Sequence, residues 1–322
     1  MAVYLIDPKN GDKLRLSDDR EDGSGYRMVR GIPRICDSSN YTDSFGLQWN
    51  RFAQIQLDRE GGSNQSATRF FTETAWTAEQ LDGIDLLEVG SGAGRFSRVV
   101  LEQTNANLWS VDFSNAVDAN MVNNGAIAAD RFHLAQASIY EMPYPDDSFD
   151  KVLCLGVLQH TPDFEASVRA LIAKAKPGGE IVVDFYPIKG FWTKIHAKYL
   201  LRPFAARLSH ERLLALIERH AGKLIRLSRL LDGAGLHVLT RFLPVCDIRG
   251  TLPKDLSAEE HREWVVLDTF DAFSPAYDNP QRLETVAAMF ARNGARVTFA
   301  DFVQNGPNSQ AAVVRAVKVA PA

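Results

Sequence analysis

Short apolar runs alternate with longer helical patterns through the middle of the chain. The helical patterns RFSRVVLEQT, NAVDANMVNNG and FEASVRALIAKA place apolar residues three or four positions apart, as amphipathic helices do. The apolar runs around them are IDLLEV, NLWSVD, RFHLAQA, DKVLCLGVL and EIVVDFYP. Strands that alternate with helices indicate βαβ units with parallel strands. The pattern therefore predicts an α/β fold with a doubly wound, mostly parallel sheet in residues 81–187.

The same domain resumes near the end of the sequence. PQRLETVAAMFARNG predicts a helix that ends at a glycine. ARVTFADFVQ and AAVVRAVKV predict two strands separated by the turn-forming NGPNSQ. Such a hairpin adds an antiparallel C-terminal strand to the sheet. Residues 279–322 are therefore assigned to the same domain as residues 81–187.

The first 80 residues carry two other patterns. In residues 1–36, short apolar stretches are interrupted by Gly, Pro and Asp, which predicts a small N-terminal β lobe. Residues 37–80 place Phe45, Trp49 and Phe52 at helical spacing, which predicts a helical linker or cap. Packing in the core is the simplest explanation of these rings, and contact with a ligand is the alternative.

Residues 188–278 form a helical insertion between the two parts of the domain. From Lys189 to Arg229 the insertion carries ten Lys or Arg but only two acids, Glu211 and Glu218. This segment has a charge of +8 within a chain of net charge −4, so the remainder is strongly acidic. Its Leu, Ile and Phe lie at helical spacing, and Pro203 is predicted to separate two helices.

Composition excludes several classes of protein. The chain has 322 residues, of which 45% are apolar and 24% charged, as in ordinary globular proteins. No uncharged apolar run reaches the length of a membrane-spanning helix, and MAVYLIDPKN does not resemble an export signal. The three cysteines, Cys36, Cys154 and Cys246, form no CxxC pair, which predicts neither disulfides nor a zinc site. We expect a cytoplasmic protein.

The turn after the first strand of the domain carries candidate chemistry. LLEVGSGAGRFS places Gly90, Gly92 and Gly94 between a strand and a helix, so a ligand can lie directly against the backbone. The spacing is ExGxGxG and differs from the GxGxxG of dinucleotide-binding turns. No Lys-Ser or Lys-Thr pair follows the turn, as a phosphate-binding P-loop requires. The turn therefore favours another kind of nucleotide ligand.

Two acids near the turn specify that ligand further. Glu88 precedes the glycines, where a carboxylate repels phosphate and suits an ammonium or sulfonium group. Asp112 ends the next strand, where a carboxylate can accept hydrogen bonds from both ribose hydroxyls. Together they indicate an adenosine with a zwitterionic tail. The alternative is that the glycines only turn the chain and that Asp112 caps a helix.

These residues resemble the class I S-adenosylmethionine-dependent methyltransferases, of the type 11 kind. The resemblance covers residues 80–187, and the C-terminal helix and strand pair complete it. LLEVGSGAGRFS resembles the glycine motif of the family, and Asp112 its ribose-binding acid. AQASIYEMPYPDDSFDKVLCLGVLQHTPD and KAKPGGEIVVDF resemble the segments that follow in the family.

The resemblance implies a Rossmann-like, seven-stranded sheet and S-adenosyl-L-methionine as cofactor. Many members have an acid where this chain has Ser138, so Ser138 or the backbone would take over the contact with adenine. No metal is expected. The cofactor-binding residues implied are Glu88, Gly90, Ser91, Gly92, Gly94, Asp112, Phe113, Ala137, Ser138, Ile139 and Leu155.

The N-terminal segments carry a second resemblance. GDKLRL and GSGYRMVRGIPRI resemble the zinc-ribbon-like segment that precedes the catalytic domain in some bacterial methyltransferases. Asp7-Pro8 stands where a Cys-Pro is expected, so residues 1–36 are predicted to fold without metal. NYTDSFGLQWNRF resembles methyltransferases of polysaccharide and glycolipid biosynthesis. In that case Tyr41, Phe45, Gln48 and Trp49 would close over the cofactor.

Candidate residues for the methyl acceptor lie at the carboxyl edge of the sheet, where open α/β folds bind ligands. His160 follows the fourth strand and is the candidate general base, which a weakly acidic hydroxyl acceptor requires. The alternative is that His160 caps the next helix or orders its loop. Asp184 and Tyr186 at the end of the fifth strand, and His196 in the insertion, are further candidates.

The insertion lies above the same edge and is expected to act as a lid that selects the acceptor. Its basic and apolar character suits a lipid-linked anionic acceptor, or peripheral contact of residues 189–230 with the inner face of the membrane. Alternatively, it is a helical hairpin with solvated charges. Nucleic acid is the less favoured partner, because the rest of the chain is acidic.

The expected function is methylation of a small or lipid-linked acceptor, most plausibly a hydroxyl of a glycan or glycolipid precursor. Two alternatives keep the cofactor. One is an enzyme that methylates RNA or protein, and the other is a catalytically silent partner subunit that only binds the cofactor.

Overall fold

The computed structural model describes residues 3–14, 16–17, 26–36, 40–59, 64–190, 195–249, 256–306 and 309–320. The strands are β1 (Leu16–Ser17), β2 (Tyr26–Val29), β3 (Ile32–Arg34), β4 (Asp85–Val89), β5 (Asn107–Asp112), β6 (Phe132–Gln136), β7 (Phe149–Cys154), β8 (Ala175–Phe185), β9 (Ala295–Gly306) and β10 (Ser309–Lys318). The helices are α1 (Asp43–Arg51), α2 (Gln65–Thr74), α3 (Arg95–Gln103), α4 (Val117–Asn124), α5 (Phe164–Lys174), α6 (Ala197–Ala205), α7 (His210–Gly233), α8 (His237–Thr240), α9 (Ala258–Phe273) and α10 (Leu283–Arg292).

The described strands form one sheet in the order β1-β2-β3-β6-β5-β4-β7-β8-β10-β9. From β6 to β8 the strands are parallel, and β10 runs antiparallel to both β8 and β9. The prediction of a doubly wound, mostly parallel sheet with an antiparallel C-terminal strand is confirmed. The strand order reverses between β4 and its neighbours β5 and β7, which opens a crevice at the carboxyl ends of these strands.

Both faces of the central strands are buried, which explains why their sequences are continuous apolar runs. Leu86 and Leu87 are adjacent on β4 and both have no exposed surface, yet they belong to different apolar clusters. Leu87 packs on the side of α5 and α10, and Leu86 on the side of α2 and α3. The sheet is therefore the middle layer of three.

The N-terminal β lobe is continuous with this sheet. Strand β3 pairs with β6 at Arg34 and Gln136, and the Arg34 guanidinium donates a hydrogen bond to Gln136 Oε1 over 2.9 Å. Residues 18–25 of the lobe lie outside the described residues. In the described part of the chain, no group of three or more His, Cys, Asp and Glu side chains is arranged to hold a metal ion.

The insertion contributes α6 to α9, and an apolar cluster apart from the two clusters of the sheet holds these helices together. Leu213, Ile217 and Ile225 of α7 pack with Phe270 of α9 and with Phe52, which follows α1. The predicted cap and the insertion therefore share one core. Residues 191–194 and 250–255 of the insertion lie outside the described residues. Among the described helices, none is both long and apolar enough to cross a membrane.

One local prediction is wrong. Pro203 lies inside α6, and the two helices are separated by residues 206–209. Proline lacks a backbone N–H, and here it stands near the end of a helix, where only one turn depends on the missing hydrogen bond. Ser209 then starts α7 by accepting a hydrogen bond from the Arg212 amide over 3.3 Å.

Candidate functional site

The glycine turn joins β4 to α3 and is fixed against β5. The amides of Gly90 and Ser91 donate hydrogen bonds to the Val111 carbonyl over 2.7 and 3.1 Å. Gly90 has a φ of +77°, and a Cβ there would lie 2.2 Å from Cγ2 of Val157. Gly94 has a φ of +85°, and a Cβ there would lie 2.1 Å from Oδ1 of Asn120. Glycine is therefore required at both positions by the backbone torsion and by the closeness of these side chains.

Asp112 holds the turn at the end of β5. Its Oδ2 accepts a hydrogen bond from the Gly92 amide over 2.8 Å. Its Oδ1 accepts hydrogen bonds from the amide and hydroxyl of Ser114 over 2.7 and 2.6 Å. Burial raises the pKa of this carboxyl above its ordinary value, although these hydrogen bonds oppose the shift. Oδ1 therefore uses both of its lone pairs, whereas Oδ2 keeps one further acceptor position.

Glu88 lies beneath the turn. Its Oε2 accepts hydrogen bonds from the hydroxyls of Ser97 and Ser110 over 2.5 and 2.7 Å. Its Oε1 is buried without a hydrogen-bond partner among the described residues. Burial raises the pKa of Glu88 to about 7. The turn thus rests on a carboxyl group that is partly protonated near neutral pH.

A cavity of about 260 Å³ extends from the glycine turn to the cap and the insertion. Its walls include the turn, the ends of β5 and β7, helix α1, and α9 of the insertion. It therefore lies in the crevice where the strand order reverses. The predicted residues that line it are Tyr41, Phe45, Gln48, Trp49, Gly90, Ser91, Gly92, Asp112, Phe113, Ala137, Ile139, Leu155, His160 and Tyr186.

Five candidates are not among the described residues that line this cavity, namely Glu88, Gly94, Ser138, Asp184 and His196. Direct contact of Glu88 with a cationic ligand is therefore not supported, because the carboxyl lies behind the turn. The Ser138 hydroxyl accepts a hydrogen bond from the Tyr140 amide. The His196 ring accepts one from the Lys198 amide at the start of α6, which corrects its assignment to the acceptor site.

Asp184 contacts one cationic side chain and one backbone amide behind the cavity wall. Its carboxylate pairs with Arg69 and accepts a hydrogen bond from the Gly156 amide. Arg69 lines the cavity and also pairs with Glu73, over 2.8 Å. Asp184 thus positions the loop after β7 and does not reach the cavity itself.

Aromatic rings form the wall opposite the glycine turn. The centroid of Tyr41 lies 5.2 Å from that of Phe113 and 5.4 Å from that of Tyr277. The ring of His160 lies 5.0 Å from Phe45 and 5.5 Å from Tyr186. The cap, the sheet and the insertion therefore meet around His160.

His160 is a neutral imidazole with a defined tautomer. Its Nδ1 lies 3.1 Å from the Tyr277 carbonyl oxygen, which can only accept a hydrogen bond. Burial lowers the pKa of His160 below its ordinary value, so the ring is neutral at pH 7. Since Nδ1 carries the proton, Nε2 carries a lone pair. His160 therefore has the form that a general base requires.

Two acids of α9 that were not predicted as site residues, Asp268 and Asp271, also line the cavity. Asp271 Oδ2 accepts a hydrogen bond from the Tyr186 hydroxyl over 2.9 Å, and Oδ1 accepts a long one from Gln48 over 3.4 Å. Burial, reinforced by Asp271, raises the pKa of Asp268 to about 7. Their spacing of three residues in WVVLDTFDAF puts both on one helix face, which is the signal that could have found them.

Arg95 was also missed and lines the cavity at the start of α3. It donates hydrogen bonds to Ser66 Oγ over 2.9 Å and to Gln56 Oε1 over 3.2 Å. Burial lowers the pKa of Arg95 to about 10, so it remains a cation. Its charge has no ion-pair partner within the described residues.

Comparison with known proteins identifies the domain that carries this turn. Residues 87–183 match the family model described as a methyltransferase domain. The chain contains a class I S-adenosylmethionine-dependent methyltransferase domain. The matched segment begins in β4 and ends in β8, so it includes the glycine turn, Asp112 and His160 of this methyltransferase domain.

Curated methyltransferases match part of the chain. The ubiquinone biosynthesis O-methyltransferase of Pseudomonas fluorescens is 29% identical over 136 residues, which are 39% of this chain and 57% of that protein. The tRNA U34 carboxymethyltransferase of Nautilia profundicola is 30% identical over 112 residues, which are 34% of this chain and 37% of that protein. The chain thus spans less than two thirds of the length of both relatives.

A solved structure supports the fold over most of the chain. It is a complex between the Haloferax volcanii Trm112 methyltransferase activator and a methyltransferase. The alignment covers 86% of this chain and 99% of that chain, with a TM-score of 0.50 and 10% sequence identity. At this identity the similarity concerns the fold alone.

Proposed function

We propose that this protein transfers the methyl group of S-adenosylmethionine to a hydroxyl of a small or lipid-linked acceptor, such as a glycan or glycolipid precursor. The observation that carries the proposal is the single cavity that joins the glycine turn and Asp112 to the neutral imidazole of His160. A nucleoside site and a proton acceptor in one cavity suit transfer to a group that must lose a proton.

The residues of the turn fit this cofactor. The Gly90 and Gly92 backbone lines the cavity without side chains, and Oδ2 of Asp112 keeps one acceptor position for a ribose hydroxyl. Apolar side chains of Phe113, Ile139 and Leu155 would enclose the adenine.

Arg95 places its guanidinium at the same cavity and would pair with the cofactor carboxylate. When bound, S-adenosylmethionine supplies a methyl group on a positively charged sulfur.

His160 would take the proton of the acceptor. The hydroxyl proton of the acceptor would move to Nε2 of His160 as the acceptor oxygen takes the methyl group that the bound cofactor would supply. The Tyr277 carbonyl holds the ring through Nδ1 and stabilises the imidazolium that results. Proximity supplies the rest of the rate enhancement, because the cap and the insertion confine the reactants and exclude water.

Tyr186, Gln48 and Asp271 would position the acceptor. All three line the cavity, and Asp271 accepts hydrogen bonds from the other two. Gln48 Oε1 is buried without a partner among the described residues, so it can accept a hydrogen bond from an acceptor hydroxyl. A polar acceptor group next to aromatic rings matches a hydroxylated ring or sugar.

A methyl-transfer assay tests the proposal. The full chain is incubated with S-adenosylmethionine labelled in the methyl group and with fractionated extracts of the source organism, and the labelled product is identified by mass spectrometry and NMR. We expect a methyl ether on a small or lipid-linked compound, and His160→Gln should abolish most of the label. Label in RNA or protein would contradict the acceptor class. Tight cofactor binding without labelled product in any fraction would indicate a silent partner subunit.

RNA remains the second candidate acceptor. The support is the tRNA-modifying relative together with the basic face of α7. Binding of RNA that falls steeply with salt, followed by label in the RNA fraction, would favour this function.

A further inference from the structure

Helix α7 presents one continuous stripe of basic and leucine side chains to solvent. The members recur every three or four residues, so they lie on the same helix face. We call this face the basic stripe. It consists of Arg212, Leu216, Arg219, Lys223, Arg226, Leu227 and Leu230, all of them exposed.

The opposite face of α7 is firmly packed. Leu213, Leu214, Ile217, Ala221 and Ile225 are buried in the core that the insertion shares with the cap. Helix α7 is therefore firmly attached to the protein, and only its outer face is exposed. The leucines of the stripe contribute little to that core, since Leu216, Leu227 and Leu230 are 48%, 41% and 68% exposed.

No acid interrupts the basic stripe. Glu211, Glu218 and Asp232 of α7 lie to one side of it at helical spacing, and Glu218 pairs with Arg51 of the cap. In the described part of the chain, Arg219, Lys223 and Arg226 have no ion pair. The basic stripe is thus an uncompensated positive surface, although the protein as a whole is acidic.

An apolar patch adjoins the end of the stripe. Helix α8 follows α7 after a short turn, and α8 and its flanks expose Leu236, Val238, Leu239 and Phe242 by 46% to 58%. The Ala197 amide at the start of α6 donates a hydrogen bond to the Arg241 carbonyl over 2.9 Å, which joins α8 to α6.

Helix α6 extends this patch. Leu200 and Phe204 lie one helical turn apart and are 57% and 63% exposed. Its cations face the other way, because Lys198 and Arg202 pair with the buried Asp278 over 2.9 and 3.7 Å. The insertion therefore exposes leucines and phenylalanines on α6 and around α8 in addition to the basic stripe of α7.

We propose that the basic stripe and the apolar side chains of α6 and α8 bind the surface of an anionic lipid bilayer. Arginine and lysine would pair with phosphate headgroups, while leucine and phenylalanine enter the boundary of the acyl chains. This membrane contact goes beyond the proposed methyl transfer and does not depend on it. The insertion also supplies Asp268 and Asp271 to the cavity, so the contact places the cavity close to lipid-linked compounds.

A bilayer explains the surface better than RNA does. Proteins that bind single-stranded nucleic acid place aromatic rings among their cations, so that bases can stack on them. The basic stripe has leucines between its cations and contains no aromatic residue, and the exposed Phe204 and Phe242 lie outside the stripe, in the apolar patch. Transfer of an exposed leucine side chain from water to the boundary of the acyl chains is favourable, because it removes apolar surface from water.

Vesicle flotation with the full chain tests the proposal. We compare vesicles of phosphatidylcholine alone with vesicles that also contain the anionic lipid phosphatidylglycerol, because cytoplasmic leaflets carry a negative surface potential. The stripe variant is Arg219→Glu, Lys223→Glu and Arg226→Glu. Its control carries the same charge change at exposed arginines elsewhere, as Arg169→Glu, Arg282→Glu and Arg296→Glu. Thermal unfolding checks that both variants fold.

The wild type should float with anionic vesicles and not with neutral ones. The stripe variant should lose at least tenfold in vesicle affinity, and the control should lose less than threefold. A second variant, Leu230→Ser with Leu239→Ser, keeps the charge and should bind more weakly and with greater sensitivity to salt.

Three results would overturn the proposal. The first is a wild type that does not float with anionic vesicles. The second is an equal loss in the stripe variant and the control, which would mean that net charge alone is sensed. The third is evidence that the surface binds another partner. Such evidence would be RNA binding that the stripe variant abolishes while flotation persists. It would also be a dimer of this protein that the variant Leu230→Ser with Leu239→Ser dissociates.

Discussion

The Tyr186 hydroxyl donates a hydrogen bond to Asp271 Oδ2 over 2.9 Å, and this bond joins the end of the sheet to α9 of the insertion. Burial raises the pKa of Tyr186, with the neighbouring Asp271 adding to the shift, so the hydroxyl keeps its proton at all ordinary pH values. The Lys198 ammonium lies 4.6 Å from the centroid of the same ring. Tyr186 is therefore one of the residues that hold the insertion over the cavity.

Tyr186→Phe removes this bond and keeps the ring. We expect the free energy of unfolding to fall by about 1 kcal/mol, and the KM for the acceptor to rise more than that for the cofactor. Urea unfolding and steady-state kinetics measure both effects. Tyr4→Phe, at an exposed tyrosine outside the cavity, is the control. Equal changes in both KM values would speak against a specific role at the acceptor end.

Asp112→Asn tests the nucleoside end of the cavity. The amide group of Asn would turn a donor toward the Gly92 amide or the Ser114 amide, both of which are donors themselves. We expect cofactor affinity to fall at least tenfold, which corresponds to about 1.4 kcal/mol. Titration calorimetry measures the affinity, and Asp130→Asn at an exposed site is the control. Unchanged affinity in a folded Asp112→Asn protein would rule out the assignment of Asp112.

Glu88 predicts a particular dependence of stability on pH. Its pKa is raised to about 7 in the folded protein, so between its ordinary value of 4.5 and 7 the folded state holds a proton that the unfolded state has lost. This proton stabilises the folded state at low pH, and the contribution disappears as the pH rises through 7. Once Glu88 is fully ionised in the folded state, the free energy of unfolding is lower by roughly 3 kcal/mol than at low pH.

Glu88→Gln removes this titration and leaves all others in place. Urea unfolding at pH 5 and at pH 8 should show a smaller decrease of stability with rising pH in the variant than in the wild type. Glu102→Gln on the surface of α3 is the control. If both variants and the wild type share one pH dependence, Glu88 is ionised in the folded state throughout that range.

The strands could be predicted because burial on both faces gives each central strand a continuous run of apolar residues. Residues Asn107–Asp112 form β5 with the bounds that NLWSVD predicts. The direction of Glu88 could not be predicted in the same way. Adjacent residues of a strand point to opposite faces, so when Val89 lines the cavity, Glu88 points away from it. The sequence places the acid beside the turn but does not tell which face carries the ligand.

The acceptor end of the site was predicted less completely than the cofactor end. Asp268 and Asp271 stand far from the glycine turn in the sequence, and their helix carries several other charged side chains, so nothing local distinguishes these two acids. Only the packing of α9 against the cap decides which of its faces meets the cavity. His196 shows the opposite error, because a histidine at the start of a helix caps that helix with its own ring.

The pH dependence of methyl transfer tests His160 as the base. Burial lowers the pKa of His160 below the ordinary value of 6.5, so the imidazole is neutral and able to accept a proton at pH 7. We expect kcat/KM to fall with unit slope below pH 6.5, where His160 of the free enzyme becomes protonated. His160→Gln should lower kcat by a factor of about 10² to 10⁴ and remove the acidic limb.

A structural role for His160 would give a different result. In that case His160→Gln would reduce stability and affinity together and leave the pH profile of the remaining activity unchanged. His133→Gln is the matched control, since His133 stacks on Trp109 with a centroid distance of 3.9 Å and does not belong to the cavity lining described above. Burial also lowers the pKa of His133, so an acidic limb that survives in His160→Gln but disappears in His133→Gln would refute the assignment.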